Sequence, residues 1–174
     1  MRATLLESER LIFEPLSLKH LSKMYVNWLN DKKVNKYLES KGDYNLKKLE
    51  LYLKEQEERD ILFWAICIKD SNKHIGNIKI DPIDLEHGSG EYGIMIGDIN
   101  QWGKGYAKEA SLRIIDHCFN ELQLSKITLG VIDQNKEAFK LYKKIGFHQE
   151  SKILNYGVHG DKICHSIRMV KYND

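Results

Sequence analysis

The chain has 174 residues, 42% of them apolar, which suits one folded domain over residues 1–174 and excludes a disordered polymer. Its 27 basic and 25 acidic residues leave a net charge of +2, too small a bias for a general nucleic-acid binder. Three widely spaced cysteines, Cys67, Cys118 and Cys164, form no CxxC or paired His/Cys motif, so neither a disulfide framework nor a metal site is expected.

The opening MRATLLESERLIFEP is charged throughout, which is unlike a secretory leader. No stretch approaches the ~20 apolar residues of a membrane span. The expectation is a cytoplasmic protein with reduced, mostly buried thiols, no membrane or nucleic-acid partner, and a monomeric or homodimeric state.

In chain order, RLIFEPL reads as a strand ending at Pro15, and Ser17 as the N-cap of a helix carrying Leu18, Leu21, Tyr25, Trp28 and Leu29 at helical spacing. NDKKVNKYLES continues as a broken or second helical turn. Asn45 caps a helix with Leu46, Leu49 and Leu53 on one face. ILFWAICIK is a buried strand, KDSNK a hairpin turn and HIGNIKIDPI the returning strand. After the turn DLEHGSG, EYGIMIG is a strand with Tyr92, Ile94 and Ile96 on one face and Glu91 and Met95 on the other. A helix follows with the stripe Ala107, Ala110, Ser111, Ile114, Ile115, Cys118 and Leu122. KITLGVI is a strand. Asn135 caps a helix that ends before Gly146, and a final hairpin turns across Gly157 and Gly160. The fold class is α/β (α+β), with a mixed sheet in which one strand–helix–strand unit makes a right-handed parallel crossover.

The stretch WGKGYAKEA joins a strand to a helix. The first N–H groups of a helix have no intrahelical partner and carry the positive end of its dipole. Gly103 and Gly105 leave that backbone bare, while Lys104 and Lys108 add charge. These features suit a phosphate or diphosphate cradle, or else a structural turn whose glycines supply positive φ. The spacing is neither a Walker loop nor a Rossmann glycine motif.

Together with NKEAFKLYKKIGF and the strand order, this stretch resembles the GCN5-related N-acetyltransferase family. The likeness extends from about Leu11 to Val170. It implies a splayed parallel pair, EYGIMIG and KITLGVI, gripping the pantetheine arm of acetyl-CoA along Ile94, Met95 and Ile96. It also implies a diphosphate seated on the turn Gly103, Lys104, Gly105, Tyr106 and Ala107. Where the family usually opens this turn with Gln or Arg, the chain has Trp102, as in a branch resembling ribosomal-protein acetyltransferases. The same likeness makes Tyr142 the acid that protonates the departing thiolate, its alternative being a core tyrosine. Asn135 either bonds the pantetheine or caps its helix, and the two are compatible.

An alkyl amine, with a pKa of ~10.4, must lose a proton before it attacks. The position where some relatives carry a glutamate is Gly130 here. Glu91 is the candidate base, directly or through water, and otherwise a solvated strand-edge carboxylate. His148 and His165 are candidate acceptor-site or structural histidines. WLND followed by V and YL resembles acetyltransferases that modify amino sugars on nucleotide carriers. This makes Trp28 and Tyr37 candidate stacking surfaces for the acceptor, with Trp28 alternatively in the core. The leading expectation is an acetyl-CoA-dependent, metal-free N-acetyltransferase acting on a small-molecule amine, an amino-sugar nucleotide. The alternatives are a protein N-terminus or lysine, a polyamine or antibiotic amine, and a non-catalytic CoA-binding module.

Overall fold

The computed structural model describes residues 1–38, 42–159 and 162–173. Its strands are β1 (Leu6–Glu7), β2 (Leu11–Pro15), β3 (Leu62–Ile68), β4 (Lys73–Asp84), β5 (Ser89–Ile96), β6 (Lys126–Ile132), β7 (His148–His159) and β8 (Lys162–Tyr172). The helices are α1 (Lys23–Asn30), α2 (Leu46–Glu58), α3 (Tyr106–Asp116) and α4 (Lys136–Lys144). One sheet runs in the order β1-β2-β3-β4-β5-β6-β8-β7, antiparallel throughout except for β5 with β6. This is the expected mixed sheet. Among the described residues no helix is long and apolar enough to cross a membrane.

Strand β3 shows why the sheet is covered twice. Leu62, Trp64 and Ile66 enter the core under α3 and α4, with Phe13, Ile78, Ile80, Tyr92 and Ile114. Phe63, Ala65 and Cys67 enter the opposite core under α1 and α2, with Tyr25, Trp28, Leu49 and Leu53. A strand buried on two faces must be apolar at every position, as LFWAICI is. The helix signals are local. Asn45 Oδ1 accepts from the Lys48 N–H at 2.9 Å. Gly146 has φ +97° directly after α4, the left-handed position that favours glycine. Cys67, Cys118 and Cys164 are free thiols and buried.

Several boundaries differ from the sequence expectation. Ser17 heads only a short 3-10 turn, Leu18–His20, while α1 is capped by Ser22, whose Oγ accepts from the Tyr25 N–H at 3.1 Å. Burial of Tyr25, Trp28 and Leu29 sets that later start. β1, too short to show periodicity, was not expected. Beyond Asp116 the α3 stripe continues as a π-helical turn, His117–Glu121, which still buries Cys118. Gly157 lies within β7, paired with Cys164, and does not turn the chain. Gly160 lies outside the described residues.

At the end of β5, Gly97 packs under the Trp28 indole, and a Cβ built there would fall within the ring. Gly97→Ala is therefore expected to lower unfolding stability by about 1–3 kcal/mol through overpacking, read by urea denaturation followed by far-UV circular dichroism.

Candidate active site

The parallel pairing of β5 and β6 covers only Ser89↔Lys126, Gly90↔Ile127 and Glu91↔Thr128. Beyond it β5 keeps its ladder with β4 as far as Gly76↔Ile96, and β6 keeps its ladder with β8 as far as Ile132↔Ser166. From Tyr92 and Leu129 onward the facing edges have left each other. The result is a wedge-shaped slot lined by unpaired backbone groups, which need an external partner. The sequence expectation placed Ile94, Met95 and Ile96 on this stretch of β5.

The slot leads to the turn before α3. Gly103 and Gly105 have φ +76° and +84°, and a Cβ at Gly103 would meet nothing within 4 Å. The first helical hydrogen bond runs from the Glu109 N–H to the Gly105 carbonyl. Among the described residues, the N–H groups from Gly103 through Tyr106 and Ala107 to Lys108 find no acceptor, and Gly105 supplies no side-chain cap. These free donors point out at the positive end of the helix dipole, an arrangement that suits an anion with several oxygens.

Long-range contacts fix this turn. Arg10 donates from Nη1 to the Lys104 carbonyl at 3.0 Å and from Nε to Glu109 Oε2 at 2.7 Å, with its guanidinium 4.5 Å from the Tyr106 ring centre. Glu109 Oε1 also accepts from Ser8 Oγ at 2.6 Å and from the Arg10 N–H at 2.7 Å. Trp102 Nε1–H donates to the Ile96 carbonyl at 2.8 Å, tying the turn to the end of β5. The tryptophan thus replaces a side-chain donor with a structural strap. Lys104 Nζ reaches Gln101 Oε1 at 3.0 Å. Within the core, the Tyr92 hydroxyl and Ser111 Oγ lie 2.6 Å apart, and Ser111 Oγ donates to the Ala107 carbonyl at 2.6 Å.

Tyr142, on α4, sets its ring edge-on to Tyr92, 5.8 Å away, and 6.0 Å from Phe147. It is 8% exposed, and burial pushes its phenol up to about 12, so the proton stays on at neutral pH. Its hydroxyl makes no hydrogen bond among the described residues, unlike that of Tyr92. Asn135 caps α4, its Oδ1 accepting from the Ala138 N–H at 3.3 Å, and its Nδ2 has no described partner.

On the other face, Glu91 sits where the pairing stops. Arg168 Nη1 and Nη2 donate to its two oxygens at 2.7 and 2.5 Å, and Thr128 Oγ1 donates to Oε2 at 2.8 Å. Burial alone would raise its pKa, but the hydrogen bonds from Arg168 and Thr128 outweigh it and hold the carboxyl below its usual value. Glu91 is therefore an ion-paired carboxylate, not a solvated one. Arg168 was not anticipated. The one clue is Gly130, where a Cβ would stand 3.0 Å from Arg168 Nη1. The glutamate that some relatives carry there would occupy the arginine's path.

The Acetyltransferase (GNAT) domain model matches residues 10–148. The chain belongs to the GNAT acetyltransferase family. An uncharacterised N-acetyltransferase, p20, from Bacillus licheniformis is 29% identical over 159 residues, 87% of this chain and 86% of that one. A spermidine N(1)-acetyltransferase from Vibrio cholerae is 35% identical over 88 residues, half of each chain. The solved structure of spermidine N-acetyltransferase from Vibrio cholerae with CoA and spermine superposes with a TM-score of 0.84 at 24% identity, covering 95% of this chain and 97% of that one. A GNAT acetyltransferase from Bacillus anthracis gives a TM-score of 0.85 at 19% identity, covering 98% and 99%. GNAT enzymes use acetyl-CoA, and this chain is an acetyl-CoA-dependent N-acetyltransferase.

Within this GNAT fold the remaining candidate residues divide. Trp28 is 6% exposed, stacked over Gly97 and 5.0 Å from the His74 ring centre, so it belongs to the core and offers no stacking surface. Tyr37 bridges to the β6–α4 loop, its hydroxyl donating to the Gln134 carbonyl at 3.1 Å, next to Asn135. His165 is structural: its Nδ1 accepts from the Asn155 N–H at 3.0 Å, and its own N–H donates to Asp133 at 3.2 Å. His148 stacks on Tyr172 near the other end of the hairpin, so the two histidines do not converge.

Arg168→Met is expected to raise the pKa of Glu91, read by carboxyl carbon NMR, and to cost about 1–3 kcal/mol of stability at neutral pH. A folded pKa below the unfolded value stabilises above the latter and loses that contribution as pH falls through the folded pKa. The gap between wild type and Arg168→Met should therefore close on acidification below about pH 4.

Proposed function

We propose that residues 1–174 form one catalytic domain that transfers the acetyl group of acetyl-CoA to the primary amine of a small molecule. The observation that carries this reading is the slot between β5 and β6, open at one end onto the free N–H groups of residues 103–108. The pantetheine amides would bond the edges at Ile94, Met95 and Ile96, and Asn135 Nδ2 would supply a further donor. The diphosphate would sit on the turn. Trp102 and Arg10 would act indirectly, by holding the turn's shape.

The tyrosine side of the slot is filled by core, so the acceptor would approach from the face bearing Glu91, Thr128 and Arg168. Attack on the thioester carbonyl forms the C–N bond, and expulsion of CoA breaks the C–S bond. The thiolate takes its proton from the Tyr142 hydroxyl, which recovers one from solvent, and the nitrogen of the tetrahedral adduct gives up its extra proton to leave a neutral amide. A carboxylate held by Arg168 is a poor base. We therefore assign Glu91 to the width and orientation of the slot, with water taking the amine proton.

Three acceptor classes are weighed: a polyamine, an amino-sugar nucleotide and a protein N-terminus. The names of the relatives favour a polyamine. The charge on the acceptor face favours an amine carrying fewer cations, such as the amino-sugar nucleotide expected from the sequence. Here Glu91 is neutralised by Arg168, while Asp81 is paired with Arg59 at 2.8 Å and with Lys79 at 3.3 Å. Tyr37 would border this acceptor space. Thiol release from acetyl-CoA with spermidine, a 4-amino-sugar nucleotide and Ser- or Ala-initiated peptides separates these classes. The buried cysteines keep the background low. Saturable CoA binding without turnover on any amine would reduce the protein to a binding module.

Gly105→Asp is expected to weaken acetyl-CoA binding at least about tenfold in calorimetry, since it would add a negative charge to the turn proposed to hold the diphosphate and draw on Arg10, which fixes that turn. Gly105→Asn, which tolerates positive φ without charge, should keep most of the affinity. Tyr142→Phe should lower kcat by about 10²-fold with little change in CoA affinity. An unchanged single-turnover rate would remove Tyr142 as the acid.

A further inference from the structure

The face of the sheet beneath α1 holds a second group of side chains that the proposed transfer does not use. Glu14 on β2, His20 in the 3-10 turn and Cys67 on β3 bring an oxygen, a nitrogen and a sulfur within 4.8 Å of one another. Sheet register explains the meeting. Glu14 pairs with Ala65 and Ile12 with Cys67, so Glu14 and Cys67 are diagonal neighbours on one face. His20 and Cys67 are buried and Glu14 is half-buried. The three line a cavity of about 270 Å³ together with Lys19, Asn72 and His74.

This chemistry suits a metal. Thiolate, imidazole and carboxylate are the ligand types of zinc, and three protein ligands leave a fourth position open. His20 Nε2 now lies 3.1 Å from Glu14 Oε2. Its Nδ1 lies 3.1 Å from the Ser17 N–H and 3.2 Å from the Ser17 carbonyl. The Ser17 N–H donates to Nδ1, so Nε2 carries the ring proton toward Glu14 Oε2; an ion at Nε2 moves that proton to Nδ1, beside the Ser17 carbonyl, the backbone contact that commonly orients a metal-bound histidine. His74 supplies an independent pointer. It is 9% exposed, and its Nε2 is engaged at 2.9 Å by the Gly76 carbonyl and by Asn77 Oδ1. Its Nδ1 has no hydrogen-bond partner among the described residues. Two oxygen acceptors facing Nε2 place the ring proton there, so Nδ1 is a free acceptor beside the cavity.

We propose that Glu14, His20 and Cys67 form a binding site for a zinc-class divalent cation, with its fourth position open to the cavity beside His74. Binding breaks the Cys67 S–H bond and forms a sulfur–metal bond, and the proton passes to solvent. Cys67 is a free thiol buried in the apolar core, so its proton is present beforehand and one leaves with each ion. The Lys19 ammonium, 2.8 Å from Glu14 Oε2 and mostly exposed, swings away as the ion takes the carboxylate. The wide spacing of the cysteines concealed this group, because it is assembled by strand register and not by a local motif.

Cobalt(II) is the probe, titrated into the purified chain of residues 1–174. Saturable binding with a thiolate-to-cobalt charge-transfer band, displaced by zinc and accompanied by release of one proton, is the expected result. Cys67→Ser should abolish the band and His20→Asn should weaken binding at least about tenfold. Cys164→Ser, altering a buried thiol in the final hairpin, should leave the band in place. Lys19→Met removes the competing ammonium and should tighten binding with every ligand intact, so the proposal stays testable even where Cys67→Ser fails to fold. Absence of saturable binding, a band surviving in Cys67→Ser, or unchanged affinity in Lys19→Met would overturn it.

Discussion

The site depends on the point where β5 and β6 stop pairing. Sheet twist alone rotates neighbouring strands but does not separate them. Here two side-chain arrangements occupy opposite faces of the fork. On one, the Tyr92 and Tyr142 rings meet edge to face under α3 and α4. On the other, Arg168 reaches from β8 past β6, over the bare Gly130, to grip Glu91 on β5. The fork is stable because each diverging strand keeps its outer neighbour, β4 for one and β8 for the other. Only the inner edges are left without partners. An extended ligand bearing amides is what such edges accept, for the same reason that an exposed sheet edge accepts another strand.

The turn before α3 adds preorganisation. A helix N-terminus always has free N–H groups, but a frayed one would have to be ordered at a ligand's expense. Here the backbone carbonyls of residues 104 and 107 are held by Arg10 and Ser111, and Trp102 and Glu109 anchor the two ends. The donors remain free while their carriers are fixed, which is the condition for electrostatic stabilisation without reorganisation.

Legibility followed the range of the interaction. Asn45, Asn135 and Gly146 act within one helical turn, and the sequence was sufficient to locate them. The alternation of EYGIMIG assigned its two faces correctly. Ser17 and Ser22 are equally good caps, and burial of Tyr25 and Trp28 chose between them. Arg10 meets Glu109, and Arg168 meets Glu91, across long stretches of chain, and neither partner carries a local mark of the other. Gly130 was read as a missing base, when its missing side chain leaves room for the arginine. Trp102 was read as a lost donor, when its indole N–H is spent on the Ile96 carbonyl. Gly130 and Trp102 were noticed while Arg10 and Arg168 were not, and all four act through contacts between segments that one sequence does not display.

Gly97 joins the two faces of the molecule. Its N–H and that of Asp98 both donate to the Ile75 carbonyl, and Asp98 is held by Lys73 at 2.6 Å. Directly above lies Trp28 of α1, itself in edge contact with His74. The segment after α1, carrying Tyr37 to the rim of the slot, is thus seated on the residue that leads to the turn before α3. A shift of α1 would press on Gly97 and, through it, on the backbone leading to the N–H groups of residues 103–108. The proposed acceptor border at Tyr37 and the proposed CoA cradle therefore share one close-packed contact. The need for a side-chain-free residue at position 97 comes from that contact and not from backbone conformation.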